Sequence, residues 1–475
     1  MIKFFKKKEN HTKNSKNITE TFPWLSSINE NYLNLCKQDI NVRIKEILSL
    51  NSYFKSTDGK EILEILKNKL ISNGFPKDAV NIEINFFLEL FNENTLFNLL
   101  FNESAGLHIH LKDEKFKNAV QINKDFGIIR TSIGKVFIVG SSNTLLPVLT
   151  SLILSYISGN VTVVQLSSLH KECIPDFIKS IPTELSNFVF FTNLNHDKKE
   201  DSLILEDLIT FINWNVVNVW GGNDSLTYYN KIISNNQNRP RIVNMEPLTG
   251  AVLIQRKYFD SNYHENIKKL SYSIDIMGQQ LCSSPTIGFL INKDKNITND
   301  KFMQDLIISL ENTYTPNNYN ESNSIKLDRM INIAKDNGSN VYTSKLYGNN
   351  ICVIESFNES VFINYNATHL LNIHERRNFI EFISLENFSK IPEILKNLFS
   401  VYSYKETKKI QTLLSFGDIT FDHEVHMLAK IIGAYRIIDS DYVLQRHPME
   451  TLDNFNLFLE FSNTISVTGS RAEHL

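Results

Sequence analysis

The sequence predicts an α/β fold: parallel βαβ units preceded by a helical region. Three observations predict it. From about residue 125 onward, short β-branched runs alternate with helical stretches, the pattern of strands joined by crossover helices. These runs end on small polar groups: Gly-Ser-Ser-Asn after "KVFIV", Gln-Leu-Ser-Ser after "NVTVV" and Gly-Gly-Asn-Asp after "NVVNVW". Such groups suit the carboxyl ends of parallel strands, where a ligand is approached by backbone amides. Up to about residue 110, apolar residues recur instead at helical spacing.

In the helical region, "GKEILEILKNKLISNGF" closes on Gly74, and "VNIEINFFLELFNENTLFNLLF" reads as one further helix. This region carries no evident chemistry; it serves as packing or as a cover over a substrate tunnel. Residues 136–157, "VFIVGSSNTLLPVLTSLILSYI", hold no charge over about a bilayer's width. Gly140, Ser141, Ser142, Asn143 and Pro147 interrupt them. The stretch reads as strand, polar turn and buried helix, with Pro147 in the first turn and Gly159 at the end, not as a membrane span. "NVTVVQLSS", "NFVFFTNL" and "WNVVNVWGGNDSL" supply further strands, with a helix over 175–181.

A second α/β unit opens with "GAVLIQRKYF" and carries Cys282. Residues 311–350 are polar and Asn-rich. "NNICVIESF" is a strand, helical segments follow near 388–400 and 404–416, and "FGDITFDHEVHMLAKIIGAYRIIDSDYV" closes the unit. The expected organisation is a helical region (1–110), a nucleotide-binding domain (111–250), a catalytic domain (251–440) and a C-terminal segment (441–475).

Composition narrows the function classes. With 475 residues, 42% hydrophobic and 21% charged, the chain has ample material for large cores. A net charge of −3 argues against a dedicated nucleic-acid binder. Cys36, Cys173, Cys282 and Cys352 are dispersed with no CxxC spacing, which argues against a structural zinc cluster. "LHIH" (His108, His110) and "DHEVHM" (His423, His426) each pair two histidines without an evident third ligand, so no metal is expected. The start "MIKFFKKKENHTKNSKN" is charged and lacks the apolar core of a secretory signal. Free thiols in a cytoplasmic setting are expected.

Cys282 stands out by context. In "IDIMGQQLCSSPTIGFLIN" it follows an amide-rich turn and precedes an apolar run. A thiol there can be a packing residue, a structural link, a metal ligand or a nucleophile. With no adjacent Lys, Arg or His, activation toward the thiolate must come from turn amides or from a base elsewhere in the fold.

The order of motifs resembles the aldehyde dehydrogenase superfamily, and more specifically its fatty acyl-CoA reductase branch, typified by the reductase of bacterial luminescence systems. "GQQLCSSP" is similar to the nucleophile motif Gly-Gln-x-Cys. "GSSNTLLP" followed by "SGNVTVVQLSS" is similar to the Asn turn and its following strand. "VVNVWGGNDSL" is similar to the glycine turn under the pyrophosphate, and "VNMEPLTGAVLI" stands where the family has Glu-Leu-Gly-Gly. The resemblance spans roughly 110–460, with about 140 residues between Asn143 and Cys282. It implies an aldehyde-dehydrogenase-like fold with a parallel Rossmann-type cofactor domain and an α/β catalytic domain.

It also implies roles. Cys282 attacks an acyl thioester to give an acyl-cysteine. Asn143 and the Cys282 amide hold the oxyanion; an Asn in a turn also serves as a helix cap. Glu246 stands where hydrolytic members carry the water-activating glutamate, but Pro247, Leu248, Thr249 and Gly250 replace the usual glycine pair. That leaves its role open between catalysis and an exposed loop carboxylate. Gly221 and Gly222 lie beside the cofactor phosphates or form an ordinary strand-ending turn. Where the family has Lys-Pro-Ser-Glu, this chain has Gln165, Leu166, Ser167 and Ser168. The missing lysine removes a donor to the adenosine ribose, and the missing glutamate removes a charge that repels a 2′-phosphate. His170 and Lys171 follow and can hold that phosphate, so the implied cofactor is NADPH, with NADH left open. The implied acyl carrier is CoA or an acyl-protein, with assembly as a homo-oligomer and room for an acyl-transferring partner enzyme. Two alternatives stay open on the same fold: an NAD(P)-dependent aldehyde dehydrogenase using Glu246 as base, and a non-catalytic nucleotide-binding or assembly subunit. A fourth reading, a cysteine acyltransferase, uses no nicotinamide.

Overall fold

The computed structural model describes residues 18–75, 77–103, 109–110, 115–116, 119–123, 126–142, 144–245, 248–279, 281, 283–292, 295–314, 321–361, 378–400, 410–416, 423–440 and 455–468. The chain divides into two compact units, Met1–Glu246 with Arg446–Leu475, and Pro247–Gln445.

The first unit is built on β1 (Lys135–Val139), β2 (Val161–Gln165), β3 (Val189–Thr192), β4 (Val216–Trp220) and β5 (Arg241–Met245), in the order β3-β2-β1-β4-β5. All neighbours pair in parallel. β2 and β4 are buried on both faces, which is why they read as continuous apolar runs. The register aligns their carboxyl ends. Val139 lies opposite both Gln165 and Val219, and Trp220 lies opposite Met245. The segments after β1, β2 and β4 therefore leave the sheet at one edge.

The helices α1 (Ile28–Cys36), α2 (Ile40–Tyr53), α3 (Thr57–Ser72), α4 (Lys77–Glu89) and α5 (Glu93–Glu103) precede the sheet. Their starts follow from local chemistry. The Asp39 carboxylate accepts the Asn41 amide at 2.6 Å, and the Ser56 hydroxyl accepts the Gly59 amide at 3.2 Å. The one helix expected after Gly74 is in fact two. Asn92 accepts the Thr95 amide and opens α5, because a side chain that competes for backbone amides favours a cap over a helix interior.

α6 (Leu146–Ile157) follows β1, and every residue from Val148 to Ile157 is buried. Its uncharged run is a core helix; among the described residues no helix is long and apolar enough to cross a membrane. Pro147 sits in its first turn and Gly159, at φ 87°, ends it. Buried charged groups from the N-terminal helices reach both of its ends. Glu83 of α4 accepts the Leu145 amide with its two carboxylate oxygens at 3.0 and 3.2 Å. Arg43 of α2 donates to the Ile157 carbonyl at 3.0 Å and to the Gln38 carbonyl at 2.7 Å. An anion at the amino end and a cation at the carboxyl end both complement the helix dipole.

The crossovers are completed by α7 (Ile174–Ser180), α8 (Lys199–Phe211) and α9 (Asn223–Ile233). Near the chain's end, Ser462–Thr468 pairs antiparallel with Phe126–Ser132, and Asn160 donates to the Phe461 carbonyl at 2.8 Å.

The second unit holds β6 (Thr249–Gln255), β7 (Pro285–Ile291), β8 (Asn340–Ser344), β9 (Gly348–Phe357), β10 (Asn378–Leu385), β11 (Ile410–Phe416) and β12 (Arg436–Asp439), in the order β8-β9-β10-β7-β6-β11-β12. Pairing is parallel except between β8 and β9. One face packs Leu270 of α10 (Tyr263–Asp275) and Leu306 of α11 (Asn299–Thr313). The other packs Ile331 of α12 (Glu321–Asp336), Leu395 of α13 (Ile391–Ser400) and Leu428 of α14 (His423–Ile432). The helix expected over 404–416 is corrected: Ile410–Phe416 is strand β11, between β6 and β12, and 401–409 lie outside the described residues. A short apolar run buried on both faces has no period that separates strand from helix; the ladder to β6 and β12 decides.

Arg256 has no exposed surface, yet it is fully engaged. It bonds Asp260 at 3.0 Å, Asn299 at 2.9 Å and the Ile297 carbonyl at 2.8 Å, with its guanidinium 4.8 Å from the centre of the Phe302 ring. Gly250 in β6 marks a close approach: a Cβ there would lie 2.3 Å from the Ser283 carbonyl oxygen. Backbone cannot yield as a flexible side chain can. Gly250→Ala is expected to destabilise the protein by about 1–3 kcal/mol, read by urea unfolding.

Candidate functional site

The carboxyl edge of the first sheet gathers most of the residues singled out for a nucleotide. Gly140 leaves β1 with its amide bonded to the Gln165 carbonyl at 2.9 Å, and a Cβ on it would strike Val148 at 2.9 Å. The chain turns away from β1 under the start of α6 because only a residue without a side chain fits there. Gly221 and Gly222 follow β4, and Gly222 occupies the N-cap of α9 with no side-chain cap. A Cβ on Gly221 would meet Ser225 at 2.9 Å, whereas Gly222 faces open space. First-turn amides beside open space, with the dipole behind them, form a place for a phosphate.

The segment after β2 divides by role. Gln165 is buried, and its side chain is occupied within the protein. Its amide donates to the Leu194 carbonyl at 2.6 Å, and its oxygen accepts from the Thr192 hydroxyl. It ties β2 to β3 and offers a ligand little. Ser167 is half-buried and bonds the His170 ring at 3.1 Å; Ser168 and Lys171 are exposed. The expectation that His170 holds a 2′-phosphate is corrected. Its ring is 0% exposed and stacked on Phe75 with centroids 5.3 Å apart. Burial lowers its pKa to about 4, against a smaller opposing pull from the Ser141 backbone. A neutral, enclosed imidazole carries no charge to a phosphate.

Among the thiols, Cys173 and Cys352 are buried, and burial pushes them to about 11 and about 12. Both stay protonated near neutrality and serve as packing. Cys36 is exposed, with its sulfur 3.1 Å from the Ser132 hydroxyl. Cys282, Asn143 and Glu246, the three residues expected to carry the chemistry, lie outside the described residues, as does His108.

The flanks of Cys282 are described, and they are tightly built. Helix α10 gives way to a 3-10 turn at Ile276–Gln279. Gln279 ends it at φ 59°, a left-handed conformation uncommon outside glycine. Its buried side chain holds it there: Nε2 donates to the Pro285 and Phe379 carbonyls at 2.8 and 2.6 Å, and Oε1 accepts the Phe379 amide at 2.8 Å. The amide thus pins the turn to the amino ends of β7 and β10. Beyond Cys282 the Ser284 amide bonds the Leu281 carbonyl at 3.0 Å, and Thr286 meets Thr249 hydroxyl to hydroxyl at 2.9 Å. The sequence shows Gln279 only as part of an amide-rich turn. Its left-handed backbone and its partner Phe379, 100 residues on, are tertiary facts.

Comparisons with known proteins agree with this architecture. Residues 41–337 match the family described as acyl-CoA reductase (LuxC). No curated protein matches the chain. Among solved structures, aldehyde dehydrogenase C of Pseudomonas syringae, complexed with NAD+ and octanal, is similar over 95% of this chain and 89% of its own, with TM-score 0.67 and 11% identity. An aldehyde dehydrogenase of Bartonella henselae is similar over 94% and 90%, with TM-score 0.64 and 11% identity. Glyceraldehyde-3-phosphate dehydrogenase of Methanocaldococcus jannaschii, complexed with NADP, is similar over 96% and 94%, with TM-score 0.64 and 13% identity. At such identities these likenesses speak for an aldehyde-dehydrogenase fold. The family match spans more than half of the sequence and includes both the strand-end turns of the first sheet and the Cys282 turn: the chain belongs to the acyl-CoA reductase (LuxC) family.

Proposed function

We propose that this acyl-CoA reductase forms a fatty aldehyde in two steps through an acyl-cysteine on Cys282, with NADPH as its reductant. The observation that carries the reading is the left-handed turn before Cys282, pinned by three hydrogen bonds of Gln279. Strain held in place by surrounding structure is typical of functional turns. A merely packed thiol needs no such support.

The residues at the first sheet's carboxyl edge fit a nicotinamide nucleotide. Gly222 and the uncapped start of α9 suit the pyrophosphate, and Ser167, Ser168 and Lys171, polar and not buried, are assigned to the adenosine end. No acidic residue stands at 165–171 to repel a 2′-phosphate, which favours NADPH. When bound, this cofactor supplies hydride. In the first step the Cys282 thiolate adds to the thioester carbonyl, and the carrier leaves as its thiol. Asn143 donates its side-chain amide to the oxyanion. After reduction the same donor holds the thiohemiacetal oxygen, until the carbon–sulfur bond breaks, freeing aldehyde and thiol. Residues 111–250 form the nucleotide-binding part and 251–440 the part bearing the nucleophile. Glu246 is assigned to this site by its place in the family motif alone. The thioester is that of CoA or of an acylated partner enzyme, the chain works in the cytoplasm, and it acts as a homo-oligomer. These last assignments rest on the family resemblance and on the free thiols of Cys36, Cys173 and Cys352.

Four outcomes test the reading. Incubation with acyl-CoAs of varied length and NADPH is expected to consume the cofactor and release aldehyde, and Cys282→Ala to abolish both; acid formed from aldehyde and NADP without CoA would instead support the dehydrogenase alternative. Without NADPH, mass spectrometry is expected to find the acyl group on the Cys282 peptide. Gln279→Ala leaves the Pro285 and Phe379 groups unpaired and is expected to destabilise by about 2–3 kcal/mol in urea unfolding, while slowing acylation about tenfold. Lys171→Ala is expected to raise KM for NADPH about tenfold and leave that for NADH unchanged, the signature of one lost charge–phosphate contact.

A further inference from the structure

The turn that carries Asn143 runs from the end of β1 to the start of α6, and its described flanks are gripped from both sides. On the β1 side, the Ser141 hydroxyl donates to the Thr144 carbonyl at 3.2 Å. On the α6 side, both oxygens of Glu83 accept the Leu145 amide, at 3.0 and 3.2 Å. Glu83 comes from α4, more than fifty residues earlier in the chain, and is 8% exposed. We propose that Glu83 is a positioning residue for the oxyanion donor: its ionised carboxylate fixes the Leu145 amide, and with it the end of the turn to which Asn143 belongs, so that its protonation slows the reaction. This rests on the reading of Asn143 given above.

The surroundings of Glu83 explain why ionisation matters. Burial raises its pKa to about 7, and the Leu145 and Leu146 amides oppose the rise. α4 packs against α3 and α6. α6 carries no charged side chain; its one titratable group, Tyr156, donates to Glu46 at 2.5 Å. On α3, Lys67 pairs with Glu64 and Lys69 with Asp176, while Asp58, Lys60 and Glu61 are the remaining charged groups. On α4 itself the other charged residues are Lys77, Asp78 and Glu89. Neither Lys77 and Glu89 nor the charged groups of α3 are among the influences that set the Glu83 pKa, and the Asp78 side chain lies outside those described. A charge-assisted hydrogen bond is roughly twice as strong as a neutral one, so a protonated Glu83 holds the Leu145 amide less firmly.

The sign for stability is opposite to that for function. A carboxyl whose pKa is raised on folding contributes stability below its unfolded value, near 4.5, and loses it as pH rises through about 7. Above that pH the folded protein holds a buried charge at a cost. Glu83→Gln, which removes the charge and keeps the shape, is therefore expected to be at least as stable as the native chain at pH 8, yet slower. A purely structural role predicts a variant that is less stable and no slower per folded molecule.

The test isolates the second step, in which Cys282 is already acylated and its own ionisation plays no part. Acyl-enzyme is preformed with acyl-CoA and mixed with NADPH in single turnover between pH 6 and pH 8. The native rate is expected to rise about tenfold with a midpoint near 7; that of Glu83→Gln is expected to be low and flat. Asn143→Ala is expected to be slow at every pH, with Glu83→Gln adding nothing to it. A native pH profile in Glu83→Gln, or additive losses in the double variant, overturns the proposal. An Asn143→Ala enzyme as fast as the native one overturns the underlying oxyanion reading instead. Should Glu83→Gln fail to fold, hydrogen exchange of the Leu145 amide in the native protein decides. After correction for intrinsic rates, weaker protection at pH 6 than at pH 8 supports the proposal, and equal protection overturns it.

Discussion

The first unit depends on a single buried helix, α6, and on the two ionisable groups at its ends. A helix without exposed residues along its length cannot satisfy its terminal amides and carbonyls with water. Pro147, Gly159 and Asn160 relieve part of that demand locally. Glu83 and Arg43 supply the rest from α4 and α2, each matched in sign to the helix dipole. This assigns a task to the N-terminal helices. They are packing, but they also clamp the element that follows the first strand of the cofactor sheet, where the Asn143 turn begins.

The second unit solves a parallel problem by different means. The segments flanking Cys282 are shaped by backbone geometry and side-chain amides, with Gln279 held left-handed by its own side chain and Gly250 leaving space for the Ser283 backbone. One carboxylate joins them: Asp275, the last residue of α10, accepts from the Asn378 side-chain amide at 2.7 Å beside Phe379. The charged network of the unit, centred on Arg256, lies at the far end of β6, where it joins that strand's exit to the start of α11.

Membership in the acyl-CoA reductase family and the aldehyde-dehydrogenase architecture agree with this division. A parallel sheet with a glycine-opened edge suits a nicotinamide nucleotide. A second sheet with a supported cysteine turn suits covalent acyl chemistry. The departures after β2 refine the picture. Gln165 works as a strand tie and His170 as a stacked core residue, which leaves Ser167, Ser168 and Lys171 as the partly or fully exposed polar side chains of that segment.

By itself the sequence determined the α/β class, the order of strands and turns, the glycine positions and the place of Cys282. These features are written in local periodicity and in residue types that few backbone conformations accept. Tertiary structure alone decided the rest. Residues 410–416 became a strand because the ladders of β6 and β12 were available, although their apolar run had no distinguishing period. Asn92 split one expected helix into two by capping the second. His170 lost its charge because Phe75 and the β1 turn enclose it, and charge state follows burial rather than residue type. Glu83 found its role across more than fifty residues of chain, at a helix start it meets only once the protein has folded.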